Sequence, residues 1–159
     1  MEYTVGHTGR VILLKLDEND DVLESIESLA STEGIKSGIF FVIGSLKEGS
    51  LVSGAATEDI PVIPIWHQLK SNHEILGIGN IFPMEGQPKI HLHAALARGD
   101  ECLMGCLRGE SRVFLLEEII IFELLGMETS REKDVRTGLS MLRIRKTCIG
   151  KKKHPRTSH

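Results

Sequence analysis

The 159-residue sequence is poor in aromatics, with one Trp and one Tyr and an aromatic content of 4%. A base-stacking platform for single-stranded nucleic acid needs several exposed rings, so that class of function is not expected. Cysteine is also sparse: the chain has three, an odd number, which speaks for free thiols or metal ligands over a disulfide framework. No window approaches about 20 uncharged apolar residues, so no membrane span is expected. The opening MEYTVGHTGR lacks the basic-then-apolar order of an export signal, and the expected compartment is the cytoplasm. There is no G-x-S-x-G elbow and no phosphate-binding G-x-x-x-x-G-K-[ST] loop. Gly77 and Gly79 lack the third glycine and the helix of a dinucleotide site, and read as a strand bulge.

Acid is missing from the C-terminal end. From Arg143 to His159 there are seven Lys/Arg and no Asp or Glu, which leaves residues 1–142 with 12 basic against 22 acidic groups, a balance of −10. Such a body repels phosphate, so contact with DNA would have to come from the basic tail or from a local patch. The organisation expected is one domain over 1–142 and a solvated, disordered tail over 143–159.

What is present is strand pattern and one helix. VILLKL, Val11 to Leu16, reads as a strand. DENDDVLESIESLASTEG offers Asp and Asn caps, then Val22, Leu23, Ile26, Leu29 and Ala30 at helical spacing, with Gly34 as the stop. SGIFFVIGSLKEGSLVSGAA, broken by Gly44, Gly49 and Gly54, reads as two short strands. Pro61 and Pro64 confine their segment to an edge strand or a loop. HEILGIGNIF is a strand and PMEGQPK a turn. IHLHAALA and CLMGCL form a hairpin, a second turn falls at RGES, and VFLLEEIIIFELLG continues as strand with a bend near Glu117 and Glu118. Many strands, one helix and no βαβ rhythm predict an α+β domain: a mixed, mainly antiparallel sheet with one main helix packed on it.

One stretch, KIHLHAALARGDECLMGCL, carries chemistry. Residues two apart on a strand share a face, so His91 and His93 point together, as do Cys102, Met104 and Cys106. A turn centred between Gly99 and Asp100 sets His93 opposite Cys106. His91, His93 and Cys106 then occupy three corners of a tetrahedron, a donor set that suits zinc, with Cys102, His73 or His67 for the fourth. A half-buried packing role for the same residues stands beside that reading. Glu117, Glu118 and Glu123 read as a solvated strand face in preference to an acid and base pair, and Arg131, Asp134 and Arg136 read as a charged turn with a surface salt bridge.

The order GRVILLKL, DDVLESIESLASTEGIKSGIFFVIGSL, HEILGIGNI, IHLHAALA, MGCLRG, LLEEIIIFEL and REKDVRTGLSML resembles the PPC domain, the plant and prokaryote conserved domain that accompanies AT-hooks in plant nuclear proteins and stands alone in prokaryotes. The resemblance runs from Gly9 to Leu142 and implies a single α+β domain that assembles as a homotrimer. Prokaryotic members carry H-L-H on one strand and G-G-H-L on the next; here His91 and His93 match the first, and Cys106 stands where the third histidine would. That replaces one zinc donor by another and makes the set softer. The AT-hook core Arg-Gly-Arg-Pro is absent, and GKKKHPR in the tail lacks it. The expected function is a zinc-binding homotrimer of unassigned biochemical role. The alternatives are a DNA-binding or transcription-associated protein acting through the tail, and a small metal-dependent hydrolase or lyase with Glu117, Glu118 or His73 moving protons. No catalytic residue is assigned.

Overall fold

The computed structural model describes residues 1–145; of the disordered tail expected over 143–159, Arg143 and Ile144 are instead strand residues paired with Ser130 and Thr129, and 146–159 lie outside the described residues. Eight strands and one helix follow in the order β1 (His7–Asp17), α1 (Val22–Thr32), β2 (Gly38–Ala55), β3 (Pro64–Gln68), β4 (His73–Met84), β5 (Gln87–Arg98), β6 (Glu101–Leu125), β7 (Thr129–Lys133) and β8 (Ser140–Ile144). The sheet runs β3-β2-β6-β5-β4-β7-β8, with β1 on β6 and with β2 also paired to β4. The pairings β2–β6, β6–β5, β5–β4 and β4–β2 therefore close into a ring. Among the described residues every ladder is antiparallel except the single parallel bridge Met84–Arg131 between β4 and β7.

Two expectations about strand number are overturned. The segment from Gly38 is one strand of 18 residues, because it has partners along its whole length: β4 and β6 beside its first half, β6 and β3 beside its second. The chain does not reverse at RGES: β6 spans 25 residues, with a register shift against β2 between Arg108 and Arg112, where Gly109 has φ 64°. Arg108 pairs with Ser50 on β2, and the Ser111 amide donates to the buried Asp21 carboxylate at 2.8 Å, so the backbone groups a turn would free are already engaged. The bend sits at Leu115, whose φ is 67°, just before the expected Glu117 and Glu118.

The helix follows its pattern. Asp21 caps it by accepting from the Glu24 amide at 2.9 Å, and Gly34, with φ 69°, ends it. Val22, Ile26 and Ala30 are buried in one core with Phe40, Val42, Ile81, Leu92, Leu96, Ile119 and Ile121. Gly77 and Gly79 do not mark a bulge: β4 keeps an unbroken register with both β2 and β5. A Cβ on Gly79 would lie 2.1 Å from the Phe40 ring, so this glycine makes room for the largest fully buried side chain.

Candidate metal centre

The β5–β6 hairpin turns at Gly99–Asp100, pairing Arg98 with Glu101 and, five rungs further on, His93 with Cys106. Ile90, Leu92, Ala94 and Leu96 enter the core, so His91 and His93 stand on the opposite face, the first half-buried and the second exposed. Residues directly opposite in an antiparallel ladder share a face, which brings Cys106, itself buried, beside them. Gly105 allows this: a Cβ there would lie 2.4 Å from the Val52 carbonyl oxygen on β2.

The ligand atoms of His91, His93 and Cys106 all lie within 4.8 Å of one another, and the two Nε2 atoms are 3.2 Å apart. Zn–N bonds of 2.0–2.1 Å at a tetrahedral angle separate two ring nitrogens by about 3.3 Å, so the histidines meet zinc geometry. Burial, followed by the nearby charges of Arg131, Arg108 and His93, lowers the His91 pKa to about 4, leaving a neutral imidazole with a lone pair to give. Burial pushes the Cys106 thiol up, against the opposing pull of Arg108 and Arg131, so binding a metal there must displace a proton.

The proposed fourth corners are elsewhere. Cys102 is exposed, opposite Ala97 and four residues along β6 from Cys106. His67 holds Ser53 Oγ at 2.8 Å from the edge strand, and the His73 Nδ1 faces the Ser71 carbonyl oxygen at 2.8 Å. Among the described residues, the cluster is the three alone.

Other expected roles change as well. Glu117 faces the core with Ile119 and Ile121, is 0% exposed, and has no hydrogen-bond partner on either carboxylate oxygen. Burial raises its pKa to about 8. Glu123 is buried against Arg10, whose Nε lies 2.9 Å from it, and only Glu118 is solvated. A solvated glutamate face is thus wrong for two of the three, because Glu117 and Glu123 alternate onto the same face of β6 as the core residues Ile119 and Ile121. Arg131 is not a surface residue: it is buried, donating to Asn80 Oδ1 at 2.6 Å and to the Ser140 carbonyl at 3.2 Å, over the Phe82 ring. Asn80 is the cross-strand partner of His91, so Arg131 belongs to the cluster's surroundings. Nothing local in REKDVRTGL signals this, since the β4–β7 bridge that places it joins distant segments.

These features define a mainly antiparallel α+β domain carrying a His–His–Cys cluster on one sheet face. The model of the Plants and Prokaryotes Conserved (PCC) domain matches residues 3–125, and the chain belongs to that family. A plant- and prokaryote-conserved (PPC) protein from Pyrococcus horikoshii superposes with a TM-score of 0.80 at 26% identity, covering 92% of this chain and 99% of its own. A metal-containing protein from Archaeoglobus fulgidus gives 0.78 at 24% identity, covering 89% of this chain and 98% of its own, and shares the fold. The bifunctional protein GlmU of Synechococcus sp. (strain JA-3-3Ab) is 28% identical over 141 residues, 87% of this chain. The chain spans only 21% of that relative's length.

Proposed function

We propose that this PCC-domain protein binds one zinc ion through His91, His93 and Cys106 and works as a homotrimer. The observation that carries the metal is the convergence of three ligand atoms within 4.8 Å from two adjacent strands. Imidazole with thiolate is a zinc-type donor set, and three protein ligands keep a fourth position open for water or an exogenous donor. The description of the Archaeoglobus structure as metal-containing supports the same reading. Elemental analysis of protein purified without added metal is expected to give about one zinc per chain, and an absence of metal would refute the assignment.

Self-association is supported by an exposed apolar face. Leu13, Ile120, Phe41 and Ile78 are successive cross-strand partners on β1, β6, β2 and β4, and Leu13 and Ile78 are 73% and 55% exposed. Ile43 and its partner Leu76 extend the band. An apolar surface continuous over four strands marks an interface, and the count of three is what the family resemblance implies.

The hydrolase or lyase reading finds less support, since among the described residues lining the cavity around the cluster none is Glu117, Glu118 or His73. Contact with DNA through the basic tail concerns residues 143–159, of which 146–159 lie outside the described ones, and carries no part of this proposal.

A further inference from the structure

The cluster opens into a cavity of about 690 Å³, within the range of small-molecule sites. Its wall is largely apolar, with Trp66, Pro61, Pro64, Met104 and Leu139 around the two histidines and the cysteine. Among the described residues lining it, Arg108 is the one Lys or Arg and there is no Asp or Glu. Among the described residues Arg108 has no ion-pair partner. Arg131, which donates to Asn80, the cross-strand partner of His91, adds a second cation beside the cluster. It is buried, its side-chain acceptors are the neutral Asn80 and Ser140 oxygens, and its Nε has no partner. A buried cation without a counter-charge is costly, and an anion brought near it recovers part of that cost. The cationic character is local, because residues 1–142 carry a balance of −10.

We propose that the cavity binds a small organic oxyanion, a carboxylate or phosphate monoester, with its head between Arg108 and the His–His–Cys cluster and its apolar body against Trp66, Pro64 and Met104. The inference deepens the zinc reading and rests on it for the metal's share of the positive field. The guanidinium fork of Arg108 accepts either head group, and the wall selects for a hydrophobic body.

The test is isothermal titration of the zinc-loaded full chain with phenyl phosphate, benzoate and the neutral benzyl alcohol, in parallel with the chelator-treated protein. Both anions are expected to bind at least about tenfold more tightly than the alcohol. Arg108→Gln should weaken them by at least about tenfold while zinc content and melting temperature stay unchanged, and Arg108→Lys should restore part of the loss. Equal binding of the alcohol, or anion binding indifferent to Arg108→Gln in protein that holds one zinc per chain, overturns the anion site alone. Arg108-dependent anion binding in protein that takes up no zinc overturns the metal reading and leaves the anion site standing. Failure of both zinc uptake and anion binding overturns both.

Discussion

Ile78 stands directly across the β4–β5 ladder from His93, so the exposed apolar face and the histidine–cysteine cluster meet on adjacent strands. A partner copy covering that face would border the candidate metal centre. Ile78→Glu is therefore expected to shift the protein toward monomer in sedimentation velocity, because a charge cannot be buried unpaired at an apolar contact. An unchanged sedimentation coefficient would discard the interface.

Loss of a ligand should be far more costly to metal binding than to folding. Partners that merely orient a zinc ligand are worth about 10–100-fold in affinity, so Cys106→Ala or His93→Ala is expected to weaken zinc by more than about 100-fold. Competition with a chromophoric chelator measures this, and circular dichroism should show the sheet intact. Retention of native affinity in either variant would remove that residue from the ligand set.

Glu117 makes a pH prediction. Its pKa is raised to about 8 in the folded protein, against an ordinary value of 4.5. The folded state thus holds the proton more tightly than the unfolded chain. Its stabilising contribution is full below about pH 4.5, falls as pH rises through the interval to about 8, and is flat above. Glu117→Gln keeps the shape and cannot ionise, so its stability relative to the native protein should rise across that window, by a few kcal/mol at most. Urea denaturation at pH 5, 7 and 9 is the measurement; a difference constant with pH would show the carboxyl ionised in the fold.

Gly79→Ala should destabilise by about 1–3 kcal/mol, since its Cβ would enter the space of the Phe40 ring. Adding Phe40→Leu is expected to make the second change less costly than it is alone. Purely additive losses in thermal melts would place the strain elsewhere.

Asp21 holds two backbone amides, of Glu24 and of Ser111. Asp21→Ala should cost about 1–3 kcal/mol, while Asp21→Asn keeps an acceptor for the cap and should lose less. Chemical denaturation distinguishes them, and equal losses would point to the charge instead of the cap.

Local chemistry alone determined a good part of this protein. Period-two alternation put His91 and His93 on one face of β5, and helical spacing with Gly34 as the stop outlined α1. A turn at Gly99–Asp100 was enough to put His93 opposite Cys106, because hairpin register follows from the turn. The tertiary structure decided what depends on distant partners. Glu117 reads as a surface residue until its face of β6, shared with Ile119 and Ile121, packs into the core, and Gly79 reads as a bulge until the Phe40 ring occupies its place. Arg131 reaches Asn80 only through the pairing of β7 with β4, and that contact brings a second cation to the candidate site. Periodicity and turn chemistry act over a few residues, whereas burial and charge at a site are set by whichever segments the fold brings together.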